Sequence, residues 1–290
     1  MADSTNLISA VKKFYNSGDE YLIPVGIDKS KIPALSNYIE AQNTGILAVD
    51  VDNISDTAAY ASNVNTIAFK AHTDDTHANV LSSGTIGAVG SLPVGSFDVA
   101  NTSGLDESVL PQDQLSFQQD QLTPYTEGNI NTYYYAQGMP IVRDGKTLSG
   151  DYLDTLLGRD YIIKHSNKEL TKIMVKNPKI AFNNVGINLL KSGVESVFDQ
   201  LYRNGGVGEK ENGKPDYDVT ALPREDMKDV DVSQRIYRGL SWKYHPADVL
   251  ATSKLPTGKE PTAPIVPDER TLACVSSVWA LKAIVLTFDA

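Results

Sequence analysis

The sequence predicts an α/β region followed by an α+β region, in which a mixed sheet is flanked by helices. In the first ninety or so residues, short apolar runs of strand length alternate with helical patterns. Two long helical patterns follow, at residues 151–175 and 186–202. A proline-rich stretch at 253–267 then precedes an apolar run at 271–288, which predicts an extended terminal arm suited to strand exchange between subunits.

The composition supports a folded core and excludes several classes of protein. The chain has 290 residues, of which 41% are hydrophobic and 21% charged, enough for two ordinary domains or one large one. A formal net charge of -10 argues against broad nucleic-acid binding. The single cysteine, Cys274, allows neither an intramolecular disulfide nor a thiolate metal cluster. With no signal peptide or membrane-spanning run, we expect a soluble chain that folds in a reducing cytoplasm.

Helical and strand patterns alternate through the first part of the chain. The helical patterns lie at 7–15, 30–41, 56–62 and 76–89. The apolar runs of strand length lie at 21–27, 45–51 and 66–70. Pro33 falls near the start of the second helix, where a missing N–H costs nothing. Strands separated by helices predict parallel pairing with helices packed on the sheet.

The remaining elements are more varied. Residues 92–131 are rich in Pro, Gly, Gln and Asp, which predicts turns and loops. A tyrosine-rich strand follows at 131–136, and Asp144-Gly145 suits a tight turn. After the two long helices, the second of which Gly205-Gly206 ends, further strands are predicted. They lie at 217–222, 236–244 and within 271–288.

These patterns divide the chain into three parts. Residues 1–130 form a predicted outer α/β region, and residues 131–252 a predicted α+β core domain. Residues 253–290 form the proline-rich linker and the arm strand. An isolated apolar strand at the end of a linker exposes unpaired backbone groups and must pair with something.

Two residue clusters resemble a phosphate-binding loop and a metal site, but simpler structural explanations fit them better. Gly84, Gly87 and Gly90 are closely spaced, yet they fall late in a helical pattern and lack the Lys-Ser/Thr of a phosphate loop, so a helix-ending turn is favoured. His72 and His77 flank two aspartates after a strand, but no third metal ligand is evident, so a polar loop is favoured.

Structural roles also explain the remaining residues that could in principle be catalytic. Asp50 and Asp52 follow a strand without any cofactor motif, so capping and loop solvation explain them. Neither His165 nor His245 falls in a recognisable sequence pattern with a nucleophile and an orienting residue, as a catalytic triad would require. Cys274 lies in an apolar segment and is expected to be buried. The sequence therefore predicts no catalytic residue, no cofactor site, no metal site and no enzyme.

Four lysines recur every four residues on the first long helix. They are Lys164, Lys168, Lys172 and Lys176. Steps of four residues drift by about 40° on a helix, so the ammonium groups form a slowly winding basic stripe. A solvated helix face and a docking strip for an acidic partner both explain this pattern.

The second half resembles the tail-sheath-like proteins of contractile-tailed phages. The matching segments, in order, are residues 133–138, Asp144-Gly145, residues 149–154, residues 158–161, residues 177–180, the helix ending at Asn204-Gly205 and residues 235–244. The resemblance is sharpest between Asn129 and Gly206. It implies a structural subunit that polymerises into a helical sleeve around a tail tube and contracts to drive the tube through a bacterial envelope.

The resemblance also implies partners and a location. The partners are further copies of the chain, a tail tube protein, and baseplate and tail terminator proteins, with no direct nucleic-acid contact and no membrane insertion. The virion tail, assembled in the host cytoplasm, is the expected location. We predict that the four lysines face the tube. The predicted inter-subunit arm residues are Leu281, Ile284, Val285, Leu286 and Phe288.

Two alternatives remain open at the level of the sequence. The chain could be another tail component, such as a tube, neck or baseplate protein. Less favoured is a small α/β metal-dependent hydrolase that uses His72 and His77.

Overall fold

The fold is described from a computed structural model of the chain. It describes residues 4–14, 21–43, 45–70, 80–105, 119–136, 138–247 and 272–274. The chain divides into two compact units, Met1–Asp160 and Tyr161–Ala290.

A five-stranded mixed sheet organises the first unit. Its strands are β1 (Tyr21–Leu22), β2 (Ile46–Asp50), β3 (Thr66–Lys70), β4 (Ile130–Ala136) and β5 (Met139–Val142). They lie in sequence order, with β1 to β4 parallel and β5 antiparallel to β4. Parallel pairing of neighbours in the chain requires a crossover before each parallel strand. A helix at Ile32–Gln42 precedes β2 and helices at Val80–Val89 and Gln119–Glu127 precede β4, whereas the 3₁₀ turn Ile54–Thr57 lies in the crossover before β3.

Helices cover both faces of this sheet. They are α1 (Ser4–Phe14), α2 (Ile32–Gln42), α3 (Val80–Val89), α4 (Gln119–Glu127) and the start of α5 (Leu153–Lys176). Successive residues of β2 point to opposite faces: Ile46 packs with Leu81 of α3, whereas Leu47 packs with Leu35 of α2. Because both faces are buried, β2 has the continuous apolar run that the sequence shows.

The second unit combines two long helices with a small antiparallel sheet. After the end of α5 come α6 (Asn184–Arg203), β6 (Tyr217–Ala221), the short α7 (Asp229–Ser233), β7 (Leu240–Tyr244) and β8 (Leu272–Cys274). The strand order is β6-β7-β8. The Asn183 side chain accepts a hydrogen bond from Gly186 N and so caps α6.

Aromatic rings form the contact between α6 and this sheet. Phe198 of α6 is fully buried; its ring stacks on Tyr217, with centroids 4.9 Å apart, and meets Trp242 edge-on at 5.6 Å. Such rings bury large apolar areas and fix the position of the helix over the strands.

The predicted fold class is confirmed, because a mixed sheet is flanked by helices. Strand β3 occupies the predicted residues, and the other predicted elements differ mainly at their ends. The pattern at 56–62 is a 3₁₀ turn at Ile54–Thr57 instead of a longer helix. Helix α4 and strand β5 were not predicted, and they arise from the proline-containing segments around Pro124 and Pro140.

The two units also differ from the division expected from the sequence. The first unit ends at Asp160, not at residue 130, because β4 and β5 complete the sheet that β1 to β3 begin. Except for β8, the predicted linker and arm at 253–290 lie outside the described residues, so the arm remains a prediction.

Candidate assembly surfaces

Close packing between α5 and α6 determines which side of α5 is exposed in the second unit. Gly193 of α6 is buried, and a Cβ atom there would overlap Ile173 Cδ1 of α5. Leu170 of α5 is also buried. The opposite side of α5 is left to solvent.

That exposed side carries the predicted lysines, which we call the lysine face: Lys164, Lys168, Lys172 and Lys176. Three of them are exposed, whereas Lys164 is half-buried. Lys172 Nζ lies 2.7 Å from Glu169 Oε2, which offsets part of its charge. Val175, whose exposed fraction is 79%, lies among them, so the surface combines positive charge with an exposed apolar side chain.

The second surface is the small sheet that ends in β8. Trp242 pairs with Cys274 and Tyr244 with Leu272, so β8 lies beside β7 and is the last strand of this sheet among the described residues. This pairing accounts for the beginning of the predicted strand at 271–288. The arm candidates Leu281, Ile284, Val285, Leu286 and Phe288 lie outside the described residues.

The two aspartates that follow β2 have structural partners. Asp50 accepts hydrogen bonds from Ser82 N at 3.1 Å and Ser82 Oγ at 2.7 Å, near the start of α3. Burial raises the pKa of Asp50 to about 6, although the bonds from Ser82 oppose this rise. Asp52 forms an ion pair with Lys29. Both aspartates therefore have partners within the fold.

The described histidines lie in structural contacts. The His165 ring stacks on Tyr161 at a centroid distance of 3.8 Å, and its Nδ1 is 3.0 Å from Tyr161 O. His245 Nδ1 lies 2.6 Å from Asp216 Oδ2. His72 and His77 lie outside the described residues. Within the described ranges, no three His, Cys, Asp or Glu side chains are grouped as metal ligands.

The glycine cluster is part of α3 and its end. Gly84 and Gly87 lie inside α3, and Gly90 N donates to Ile86 O just after the helix. This is the helix-ending turn that the sequence favoured. None of the helices in the described part of the chain is long and apolar enough to cross a bilayer.

Comparison with solved structures identifies the architecture. A chain in the baseplate of the anti-feeding prophage matches with a TM-score of 0.68 and 13% identity, covering 90% of this chain and 75% of that one. The sheath complex of the extracellular contractile injection system PVC, in its contracted state, matches with a TM-score of 0.63 and 16% identity, covering 87% and 74%. The contracted helical sheath of the anti-feeding prophage matches with a TM-score of 0.59 and 14% identity, covering 91% and 76%.

The chain has the sheath-protein fold. The similarity extends over both compact units, because it covers about nine tenths of the chain. Neither a protein-family profile nor a curated protein sequence matches it. The sheath fold thus confirms the resemblance inferred from residues 129–206, although the sequence identity to these three structures is between 13% and 16%.

Proposed function

We propose that this chain is the structural subunit of a contractile sheath, which polymerises helically around a tail tube. Contraction of the sheath would drive the tube through a bacterial envelope. The observation that carries the proposal is the match, over 87% and 91% of the chain, to two contracted sheaths. The role is mechanical, so it requires neither a catalytic residue nor a cofactor.

The C-terminal arm would connect neighbouring subunits. The three described residues at this end of the chain, those of β8, pair with β7, and they follow a proline-rich spacer in the sequence. Strand addition joins chains through backbone hydrogen bonds, which persist when the subunits rotate against each other. In this proposal the apolar residues at 281–288 complete a sheet in another copy of the chain.

The lysine face would contact the tube. The chain carries a net charge of -10, yet α5 presents three exposed lysines on one side. Weak, salt-screened contacts with an acidic tube surface would hold the extended sheath in register and release during contraction.

The remaining partners follow from the same assembly. Baseplate and tail terminator proteins would bind the two ends of the sheath. The particle would be a phage tail or a phage-derived injection device, assembled in the cytoplasm of the producing bacterium. Direct contact with nucleic acid and insertion into a membrane are not part of the proposal.

Electron microscopy of negatively stained particles tests the function. The full chain is purified alone and together with a tube protein encoded beside it. Wide sleeves with a helical repeat are expected, whereas narrow smooth tubes or discs would contradict the sheath proposal in favour of a tube, neck or baseplate protein.

Elemental analysis of the same preparation tests the hydrolase alternative, since bound metal lost on His72→Ala or His77→Ala substitution would favour an enzyme.

A further inference from the structure

A shallow apolar pocket lies in the second unit beside the start of α6. It is formed by the loop that joins α5 to α6, the first two turns of α6 and Tyr237. Of the residues that line it, Ile187 and Leu190 are buried, whereas Ile180 and Phe182 are partly exposed. Its enclosed volume of about 10 Å³ has room for one water molecule, so it accepts the face or edge of a ring and not a whole side chain. We call it the α6 pocket.

Local contacts hold the walls of the α6 pocket in place. The Asn183 side chain caps α6, and a Cβ atom on Gly186 would overlap the Ala181 carbonyl oxygen, so the loop and the helix are in close contact. On the other wall, Tyr237 is buried and its hydroxyl donates to Leu222 O at 2.9 Å. The pocket is therefore preformed, and a group that binds there orders little of the protein.

The chemistry of the α6 pocket suits an aromatic side chain. The rings of Phe182 and Tyr237 meet edge to face, with centroids 6.1 Å apart. Aromatic rings pair favourably at centroid distances of about 4.5–7 Å, so a third ring can join these two. The Arg224 guanidinium lies 5.8 Å from the centre of the Phe182 ring, and a cation at the margin adds to the attraction for an aromatic face.

Strand β8 leads the chain toward the α6 pocket. Trp242 lies opposite Cys274 and the two strands are antiparallel, so the residues after Cys274 run beside those that precede Trp242. The sheet extends in this direction beyond β7, since Leu222 N donates to Gly239 O at 2.9 Å. Tyr237, which lines the pocket, comes two residues before Gly239. The pocket therefore lies near the line that β8 follows.

The register of β8 identifies the residue that would reach the pocket. Tyr237 precedes Trp242 by five residues, and the residue five positions after Cys274 is Trp279. Opposite residues of an antiparallel pair share a face of the sheet, so a continued β8 would bring Trp279 beside Tyr237. Five extended residues span about 17 Å, which is the length of strand required. Residues 275–279 themselves lie outside the described residues.

We propose that residues 275–279 continue β8 along their own chain and that the ring of Trp279 binds the α6 pocket. The occupant is the chain's own segment, because β8 fixes both where this segment starts and the direction in which it runs. The apolar residues at 281–288 would then leave the subunit from a fixed point. The inference concerns a single copy of the chain and does not depend on the sheath function.

Tryptophan fluorescence of the unassembled full-length protein tests this contact. The chain has two tryptophans, so Trp242→Phe leaves Trp279 as the only one. The acrylamide quenching constant of Trp279 is expected to be severalfold lower than in urea and to stay the same on dilution. Quenching as strong as in urea would overturn the proposal. Shielding that disappears on dilution would also overturn it, because the occupant would then come from a second copy.

A variant of the pocket separates this contact from shielding elsewhere. Ala181 is exposed and lines the α6 pocket, so Ala181→Glu places a carboxylate against the bound ring. It is expected to lower the docking constant about tenfold and to raise the quenching of Trp279 toward its value in urea. Ala61→Glu makes the same change at an exposed turn of the first unit and should leave quenching unchanged. Unchanged shielding in Ala181→Glu, or equal loss in both variants, would contradict binding at the pocket.

Fluorine NMR provides a second measurement that keeps Trp242 in place. The full-length protein labelled with 5-fluorotryptophan gives one signal for each tryptophan, and Trp279→Phe assigns them. The Trp279 signal is expected to differ from its position in urea and to move toward it in Ala181→Glu but not in Ala61→Glu. A Trp279 signal at the urea position in the wild type would overturn the proposal. Sleeves formed by such a protein would leave the proposed function intact.

Discussion

Single buried side chains connect parts of this fold that are distant in sequence. Asn131 is fully buried in β4; its Nδ2 donates to Ala68 O of β3 at 3.0 Å and to Lys146 O at 2.7 Å. Its Oδ1 accepts from Lys146 N at 3.0 Å. One amide thus ties two strands to the turn that precedes α5, and each of its polar atoms is satisfied, as burial requires. No local pattern in the sequence indicated this role.

Two glycines should respond in opposite ways to the same substitution. A Cβ atom on Gly186, in the first turn of α6, would overlap the Ala181 carbonyl oxygen, and backbone cannot move aside cheaply. Gly186→Ala is therefore expected to lower the free energy of unfolding by about 1–3 kcal/mol. Gly87 is exposed within α3 and has open space around it, so Gly87→Ala should raise the free energy of unfolding by about 0.5–1 kcal/mol. Chemical denaturation of unassembled protein measures both, and a neutral Gly186→Ala would contradict the tight approach.

At the level of elements, strongly periodic segments were predicted and weakly periodic ones were not. Helices α5 and α6 were expected at 151–175 and 186–202 and occupy Leu153–Lys176 and Asn184–Arg203. Helix α4 was missed because Pro124 and the polar residues around it predict a loop. Leu122 of α4 is buried, and the packing of α4 on β4 outweighs its poor helix propensity.

The lysine face allows a test of docking that is separate from folding. Lys168→Glu/Lys172→Glu reverses two exposed charges, so it should weaken co-assembly with the tube protein while changing the free energy of unfolding by less than about 1 kcal/mol. Co-sedimentation with preformed tubes at low and moderate salt measures the docking. Lys214→Glu/Lys228→Glu makes the same charge change at exposed positions outside α5 and should leave docking close to that of the wild type. Equal loss in both variants would mean that net charge, not the lysine face, governs association.

At the level of the whole molecule, two compact units share one helix along the chain, since the boundary at Asp160 falls within α5. The sequence indicated an α/β part followed by an α+β part, and in the structure the sheet with parallel strands precedes the antiparallel sheet along the chain. The position of the boundary was decided by pairing, because β4 adds to β3 and β5 adds to β4. Such long-range pairing has no signature in a local window of sequence.

Removing the end of the chain tests how subunits are connected. Deletion of residues 280–290 should leave a folded protein that no longer forms sleeves, because it removes the apolar residues proposed to pair with another copy. Analytical ultracentrifugation and microscopy measure assembly, and circular dichroism measures folding. Deletion of residues 289–290 alone keeps those apolar residues and should assemble normally. Sleeves formed by the longer deletion would remove the arm from the proposed mechanism.

The sequence by itself determined which segments become helices and strands wherever side-chain periodicity is strong, and it placed the four lysines on one side of α5. It also indicated the sheath fold through the order of short segments between Asn129 and Gly206. Only the tertiary structure made a helix of the segment around Pro124 and joined residues 101 and 102 to Val142 at the edge of β5. The reason is physical: periodicity is a local property of the chain, whereas burial and strand pairing are set by residues far apart in sequence.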